Sequence, residues 1–295
     1  MNPIVVVGSG MAGYTLAREL RKLSADAPLL IITADDAINY SKPVLSNALS
    51  GGKHPDQIGM GDHAKMTEQL KASIMAHTQV LEIDKTAKTL TLRNDAGIIT
   101  QPYEKLVLAV GASPIKLPIA GDGASEVYAI NSLIHYKTFH AALAQKDQKR
   151  VLLLGAGLIG CEFANDLLTT NHDVTVVDLA PQPLGRLLPA EVATAFQKQL
   201  EANGIKFALG TTVQNIQHVP AGLKVDLANG QSFEVDIVLS AVGLKPNTEL
   251  AHAADLTINR GIQVDQSLQT SHADIYAMGD CAEVEGHLLP YVMPL

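Results

Sequence analysis

Cysteine is scarce in this chain: its 295 residues include two, Cys161 and Cys281, far apart and in no CxxC spacing. That excludes a disulfide framework and a vicinal redox dithiol, and it fits a reducing, cytoplasmic setting. Long apolar runs are lacking as well. No window approaches the roughly 18 consecutive apolar residues of a membrane-spanning helix, so no membrane insertion is expected. Nor is there a run rich in Lys and Arg. With 30 acidic residues against 22 basic ones the formal net charge is −8, which argues against a nucleic-acid or anionic-membrane partner. The apolar run Ile4 to Val7 has no basic segment before it and glycines straight after it, so it reads as a strand rather than a signal peptide. The ten histidines, among them His63, His77 and His252, show no ligand-like spacing and no neighbouring Cys. No metal site is expected.

What the chain has is apolar residues, 47% of the total, over a length that suits two cores better than one. It also has a repeated phrase. "IVVVGSGMAGYTL" at residues 4–16 returns as "VLLLGAGLIGCEF" at 151–163, offset by 147 residues, and the same offset carries Ala17 onto Ala164 and Leu20 onto Leu167. Each copy predicts strand, GxGxxG turn and helix. The first glycine permits the turn, the second clears the approach of a pyrophosphate, and the third lets helix and strand press together. The helix N-terminus adds free N–H groups and a partial positive charge for phosphates. Ordinary glycine turns are the bland alternative, and the strand-before, helix-after context in both copies favours two dinucleotides over it.

A second pair of phrases, "LVLAVGASP" at 106–114 and "IVLSAVGLKP" at 237–246, repeats at an offset of 132. Before each lies a stretch of short alternating strands: Val80 to Leu92 followed by "NDAG", and Gly222 to Val235 containing Asn229-Gly230, which predicts a type I′ hairpin. The expected fold is therefore α/β, with two Rossmann-like dinucleotide-binding domains of the three-layer ββα kind and β-meander insertions. "AQKDQKR" at 144–150 is the most linker-like stretch. Where a ribose would lie, the copies diverge. "DVTVVD" ends in Asp178, 18 residues past Gly160, and a carboxylate there accepts hydrogen bonds from ribose hydroxyls and repels a 2′-phosphate, favouring NADH. A loop-start role for Asp178 is the alternative, and Arg186 leaves room for some NADPH tolerance. In the first copy "PLLIIT" ends at Thr33-Ala34, and acids follow only at Asp35 and Asp36.

The two GxGxxG phrases, "NYSKPVLS" at 39–46, "LLLGAGLIGCEFANDL" at 152–167, "INRGIQVDQSLQTSHADIYAMGDCAEVEG" at 258–286 and the final "YVMPL" together resemble the FAD-dependent pyridine-nucleotide reductases, and within them the rubredoxin–NAD reductases. The likeness runs along the whole chain. It implies FAD on the first phrase, at Gly8, Ser9, Gly10, Met11, Ala12 and Gly13, with further contacts from Thr33, Ala34, Asp35, Lys42, Pro43, Val80, Ala109, Gly111, Gly279, Asp280 and Val292. It implies NADH on the second, at Gly155, Gly157, Leu158, Ile159, Gly160, Glu162, Asp178 and Gly243. The expected domains are 1–115 with 245–295 for FAD and 116–244 for NAD. Members carry a further C-terminal domain, and the sequence ends where that domain would begin.

By the same resemblance Lys42 and Glu162 are the expected catalytic pair, facing each other beside the flavin N5. Each alone would read as a surface lysine or a helix-start acid; together they suit a flavin site, the lysine favouring reduced flavin and the glutamate holding the lysine. Both cysteines read as small core residues. Where related reductases and peroxidases place a thiol, this chain has Ser41-Lys42-Pro43, so electrons are expected to leave outward. The resemblance implies rubredoxin, or a similar small iron protein, as acceptor. Ferredoxin, oxygen or a quinone, or an NADH-sensing role without turnover, stay open as alternatives. A monomer or weak dimer is expected, with a basic patch from Lys42, Lys53, Lys116 and Lys245 for an acidic partner.

Overall fold

The computed structural model describes residues 1–145 and 150–289. Residues 146–149 of the linker-like stretch, and Val292, lie outside the described residues. The chain forms two compact units, one of Met1–Tyr40, Gly59–Ser113 and the part from Lys245 onward, the other of Ser41–Ile58 and Pro114–Leu244.

The first unit begins with β1 (Ile4–Val7), α1 (Met11–Leu23) and β2 (Leu29–Ile32), followed by α2 (His63–Leu70), β3 (Ser73–Met75), the meander β4 (Gln79–Asp84), β5 (Thr89–Asn94) and β6 (Gly97–Pro102), and β7 (Lys105–Leu108). The strands β1 and β2, and β7 after Lys105, are unbroken aliphatic runs because both faces of the sheet are covered. On one face α1 and α2 bury Tyr14, Ala17, Met66 and Leu70 against Val6 and Ile31. On the other, Ile83, Leu90 and Leu92 of the meander cover Val5, Val7, Leu30, Ile32, Leu106 and Leu108. That makes three layers, ββα.

After β8 (Ala112–Pro114) comes the second unit, with α3 (Leu133–Ala144), β9 (Arg150–Leu154), α4 (Leu158–Thr169), β10 (Asp173–Asp178), α5 (Ala190–Ala202), β11 (Lys206–Leu209), a meander of β12 (Val213–Val219), β13 (Gly222–Leu227) and β14 (Ser232–Val235), and β15 (Ile237–Ser240). Its parallel sheet runs β11-β10-β9-β15. Phe139, Phe163, Ala164 and Leu167 pack on the helical side of this sheet, and Ile216, Leu223, Val225 and Leu227 on the other. Ala17, Ala164 and Leu167 are fully buried, as the repeat offset predicts, and Leu20 packs at the edge of its core.

The chain returns to the first unit through β16 (Leu244–Pro246), α6 (Glu249–Ala253), β17 (Ile262–Val264), β18 (Ile275–Ala277), β19 (Ala282–Val284) and β20 (His287–Leu288). β18 completes the first parallel sheet in the order β18-β7-β1-β2-β3. Among the described residues no helix is long and apolar enough to cross a membrane.

Two details differ from the sequence reading. The β13–β14 hairpin is not type I′: Asn229 is absent from the residues with positive φ and only Gly230 has one, at 86°. Gly230 N–H donates to Leu227 O at 3.1 Å and Leu227 N–H to Gln231 O at 2.8 Å, a type I turn closed by a glycine bulge. The second difference is Ser41–Ile58, which the sequence groups with residues 1–115 and which belongs to the second unit. Buried Asp166 of α4 accepts the Leu49 and Ser50 amides, and Leu49 packs against that unit's core. A two-domain reading by repeats has no way to see an excursion this short.

Candidate functional site

The two glycine phrases share one steric logic. A Cβ on Gly8 would strike the carbonyl of Ala109, and one on Gly155 would lie 2.6 Å from Ala241 O. Both glycines also have positive φ, 115° and 102°, so any side chain there is strained twice over. A Cβ on Gly13 would strike Gly8 O, and one on Gly160 would strike Gly155 O. At Gly10 and Gly157 a Cβ would meet nothing within 4 Å. The outer glycines are needed by the fold; the middle ones face space a ligand can enter. Gly10 and Gly157 are the N-caps of α1 and α4, with no side-chain cap and no acid in the first turn of either helix. The amides of Met11, Ala12 and Gly13, and of Leu158, Ile159 and Gly160, therefore stand at two uncompensated positive helix ends, suited to a pyrophosphate.

The ends of the second strands are equivalent by hydrogen bonding: Gly8 N–H donates to Ile32 O and Gly155 N–H to Val177 O, each at 2.8 Å. Thr33 and Asp178 follow at matching places. Asp178 accepts from the Ala156 amide at 2.5 Å and the Ala180 amide at 2.6 Å. This carboxylate is fixed beside the second phrase, where an adenosine ribose would lie in a dinucleotide fold. In the first unit Thr33 is too short for that task, and Asp35 folds back. Its Oδ1 accepts from the Thr33 hydroxyl at 2.7 Å and the Ala37 amide at 3.0 Å, with the Ser9 hydroxyl also 3.0 Å away. Beneath them the Tyr14 hydroxyl donates to Ala37 O at 2.5 Å; burial, and next the charge of Asp35, push its pKa up to about 12.

The other expected contacts of the first unit gather at the same sheet edge. Ala109 N–H donates to Val7 O and Met278 N–H to Leu108 O, which sets Ala109 to Gly111 and Gly279-Asp280 beside the glycine turn. Gly279 has φ of 73°, and a Cβ on it would lie 2.8 Å from the Ala12 Cβ. Thr78 N–H donates to Thr33 O and His77 N–H to Asp35 O, bringing the start of β4, with Val80, next to Thr33–Asp35. In the second unit Ala241 N–H donates to Leu154 O, so Gly243, φ 116°, follows the strand that flanks the second phrase. Each set lies beyond the C-terminal ends of adjacent parallel strands, the edge at which such sheets take ligands.

Residues 2–292 match the family model described as pyridine nucleotide-disulphide oxidoreductase. The chain belongs to the pyridine nucleotide-disulphide oxidoreductase family. Over its full length it is 57% identical to the rubredoxin-NAD(+) reductase of Acinetobacter baylyi and 41% identical to the nitric oxide reductase FlRd-NAD(+) reductase of Pectobacterium atrosepticum, spanning 76% of each. Among solved structures it is similar to a ferredoxin reductase from Rhodopseudomonas palustris (TM-score 0.88, 30% identity, 97% of this chain and 69% of that one). It is also similar to putidaredoxin reductase in its covalent complex with putidaredoxin (TM-score 0.87, 27% identity, 96% and 68%).

This member of the disulphide oxidoreductase family has no disulfide partner for either of its thiols among the described residues. Cys161 Sγ lies against Ala156 O at 3.5 Å, and Cys281 Sγ against Leu108 O and Met278 O, each at 3.3 Å. Burial is the first cause raising the pKa of each to about 11, assisted at Cys161 by the charges of Asp178 and Glu162. Protonated thiols of this kind are poor nucleophiles.

Lys42 and Pro43 open a short 3-10 helix, Lys42–Ser46, in the second unit. Glu162 is the fifth residue of α4, in its second turn rather than its first. It accepts from the Ser46 hydroxyl at 2.6 Å. Ser46 and Asp166 are the two residues of this region that sequence reasoning missed. Their signal was present in part: Asp166 interrupts the apolar positions Phe163, Ala164 and Leu167 of a buried helix face, and it stands four residues after Glu162. Nothing in the sequence says what the acid would bind.

Proposed function

We propose that this chain takes electrons from NADH and passes them, through FAD, to a small iron protein of the rubredoxin type. The observation that carries the reading is that one glycine geometry is built twice, each time with open space at the middle glycine alone. The first phrase is proposed to hold FAD and the second NADH. Bound FAD supplies the conversion of a two-electron hydride into single electrons, which an acceptor with one iron requires. The protein supplies position and charge.

The residues divide the work as follows. The helix-start amides of both phrases receive pyrophosphates, and the middle glycines let them approach. Asp178 accepts the ribose hydroxyls of NADH and repels a 2′-phosphate. Lys42 sets positive charge where a reduced flavin gains negative charge, and Glu162, held by Ser46, keeps the lysine oriented and balanced. Since both thiols are buried and protonated, electrons leave to a partner instead of an internal disulfide. Lys53, Lys116 and Lys245 are exposed and Lys42 partly so, as an acidic acceptor requires. The chain works in the cytoplasm as a monomer or weak dimer.

The test is a visible spectrum of the purified chain, followed under anaerobic conditions by NADH and then by oxidised rubredoxin. Bleaching of a flavin band and rapid loss of the rubredoxin colour are expected. A flavin that bleaches while rubredoxin stays oxidised would move the acceptor to ferredoxin or another carrier. A flavin that NADH does not bleach would end the reading.

A further inference from the structure

One helix face of the second unit carries two acids, and a single segment binds both. Glu162 and Asp166 are spaced i, i+4 on α4, one above the other. The Ser46 hydroxyl donates to Glu162 Oε2 at 2.6 Å, the Leu49 amide to Asp166 Oδ2 at 3.0 Å and the Ser50 amide to Asp166 Oδ1 at 2.8 Å. Both carboxylate oxygens of Asp166 are engaged, by consecutive backbone amides, and the residue is 1% exposed.

This is a poor place for a carboxylate on grounds of stability alone. Burial removes its hydration, its hydrogen-bond donors are neutral amides instead of a cation, and it lies near the C-terminal, negative end of α4. An apolar residue would fill the space at less cost, but it would not fix two successive amides in one orientation. The segment it grips is internally rigid. Its short helix is tied by Val44 N–H to Ser41 O (3.1 Å) and Asn47 N–H to Val44 O (3.2 Å), and its turn by Gly52 N–H to Leu49 O (2.9 Å) and Lys53 N–H to Ala48 O (3.0 Å). A grip at residues 49–50 is therefore transmitted to Lys42 at the head of the run. On the other side of the grip, α4 carries Glu162 and, at its start, the amides of the second glycine phrase.

We propose that Asp166 is a positioning residue for electron transfer from NADH: it locks the Lys42-bearing segment in register with the helix that presents Glu162 and receives the dinucleotide. The inference rests on the function proposed above. It adds that the lysine and the glutamate are set by a common clamp within one unit, remote from the reacting atoms.

The test compares the unsubstituted chain, Asp166→Ala and Asp166→Asn, each with Glu162 intact or replaced by Gln. Hydrogen exchange, read without NADH, should be at least about tenfold faster at the Leu49 and Ser50 amides in Asp166→Ala. Asp166→Asn, which keeps one acceptor oxygen, should fall between. With NADH in an anaerobic stopped flow, the limiting rate of flavin reduction should fall about tenfold in Asp166→Ala while half-saturation stays within about twofold. In the Glu162→Gln background the same substitution should cost little more, because both act through one geometry. Unchanged exchange would overturn the clamp, and faster exchange with an unchanged limiting rate, or strictly additive losses, would overturn the positioning role. Should Asp166→Ala not fold, the Asn variant decides by the same criteria. Failure of the unsubstituted chain to be reduced by NADH would count against the proposed function and end the redox half of this inference, and the exchange data would still judge the clamp.

Discussion

Asp178 accepts the amide of Ala156, the residue between the first two glycines of the second phrase, at 2.5 Å. The residue proposed to select the nucleotide is thus also the one that braces the nucleotide-binding turn. Replacing Asp178 by Ala should weaken the preference for NADH over NADPH, by at most about 3 kcal/mol. The ratio of kcat/KM values for the two nucleotides measures it. An unchanged ratio would remove Asp178 from the ribose.

Glu162→Ala should leave FAD bound and slow its reduction by NADH roughly tenfold to a hundredfold, the effect of losing one charged group beside the reacting centre. Stopped-flow absorbance at the flavin band reads the rate, and the spectrum before mixing reads FAD content. A rate equal to that of the unsubstituted chain would take Glu162 out of the mechanism.

The glycines should separate into two classes. Gly13→Ala and Gly160→Ala place a methyl group against the backbone carbonyls of Gly8 and Gly155, and each should cost about 2–3 kcal/mol of stability. Gly10→Ala and Gly157→Ala, whose new methyl groups meet no protein atom within 4 Å, should cost no more than about 1 kcal/mol as helix caps. Instead they should impair retention of FAD and binding of NADH, respectively. Thermal melts set beside flavin content and NADH saturation curves distinguish the classes.

Asp274 bridges Lys88 at 2.5 Å and Lys105 at 2.6 Å. Their hydrogen bonds, Lys105 first, lower its pKa to about 2. A carboxylate with a depressed folded-state pKa stabilises above its unfolded pKa, about 3.9, and loses that stabilisation as pH falls toward 2. Asp274→Asn should therefore lower Tm at pH 7, and the difference from the unsubstituted chain should shrink steadily between pH 4 and pH 2. High salt should shrink it too. A gap that persists at low pH would mean that something other than charge is lost.

Both cysteines should resist alkylation in the folded chain at pH 8, because burial holds each thiol's pKa at about 11 and the thiolate is the reactive form. Titration with a thiol reagent before and after denaturation gives the count. Rapid native labelling of either residue would contradict the burial.

The sequence made the two sheets legible because parallel strands covered on both faces leave unbroken aliphatic runs such as "LLII" and "VLLL", and because glycine is the residue a turn this crowded will accept. The place of Asp178 beside the second phrase was legible for a similar reason: it ends a strand at a fixed distance from the last glycine. Ser41–Ile58 was not. Its place depends on Leu49 finding an apolar contact and on backbone amides of Leu49 and Ser50 finding Asp166, more than a hundred residues away. Amides are common to every residue and leave no mark in the sequence. Asn229-Gly230 misled for a local reason: the three residues between Leu227 and Gln231 allow a type I turn with a glycine bulge, which needs only one positive φ.

Because Ser41–Ile58 completes the unit otherwise built from Pro114–Leu244, neither half of this protein corresponds to an uninterrupted stretch of its gene. An expression fragment covering 114–244 would expose the apolar surface that Leu49 covers and would strip Asp166 of its amide donors. Recombination at the obvious repeat boundary would yield the same defective piece. The two glycine phrases look like interchangeable cassettes, yet the eighteen codons for Ser41–Ile58, lying within the other cassette, are what would keep them from being shuffled apart.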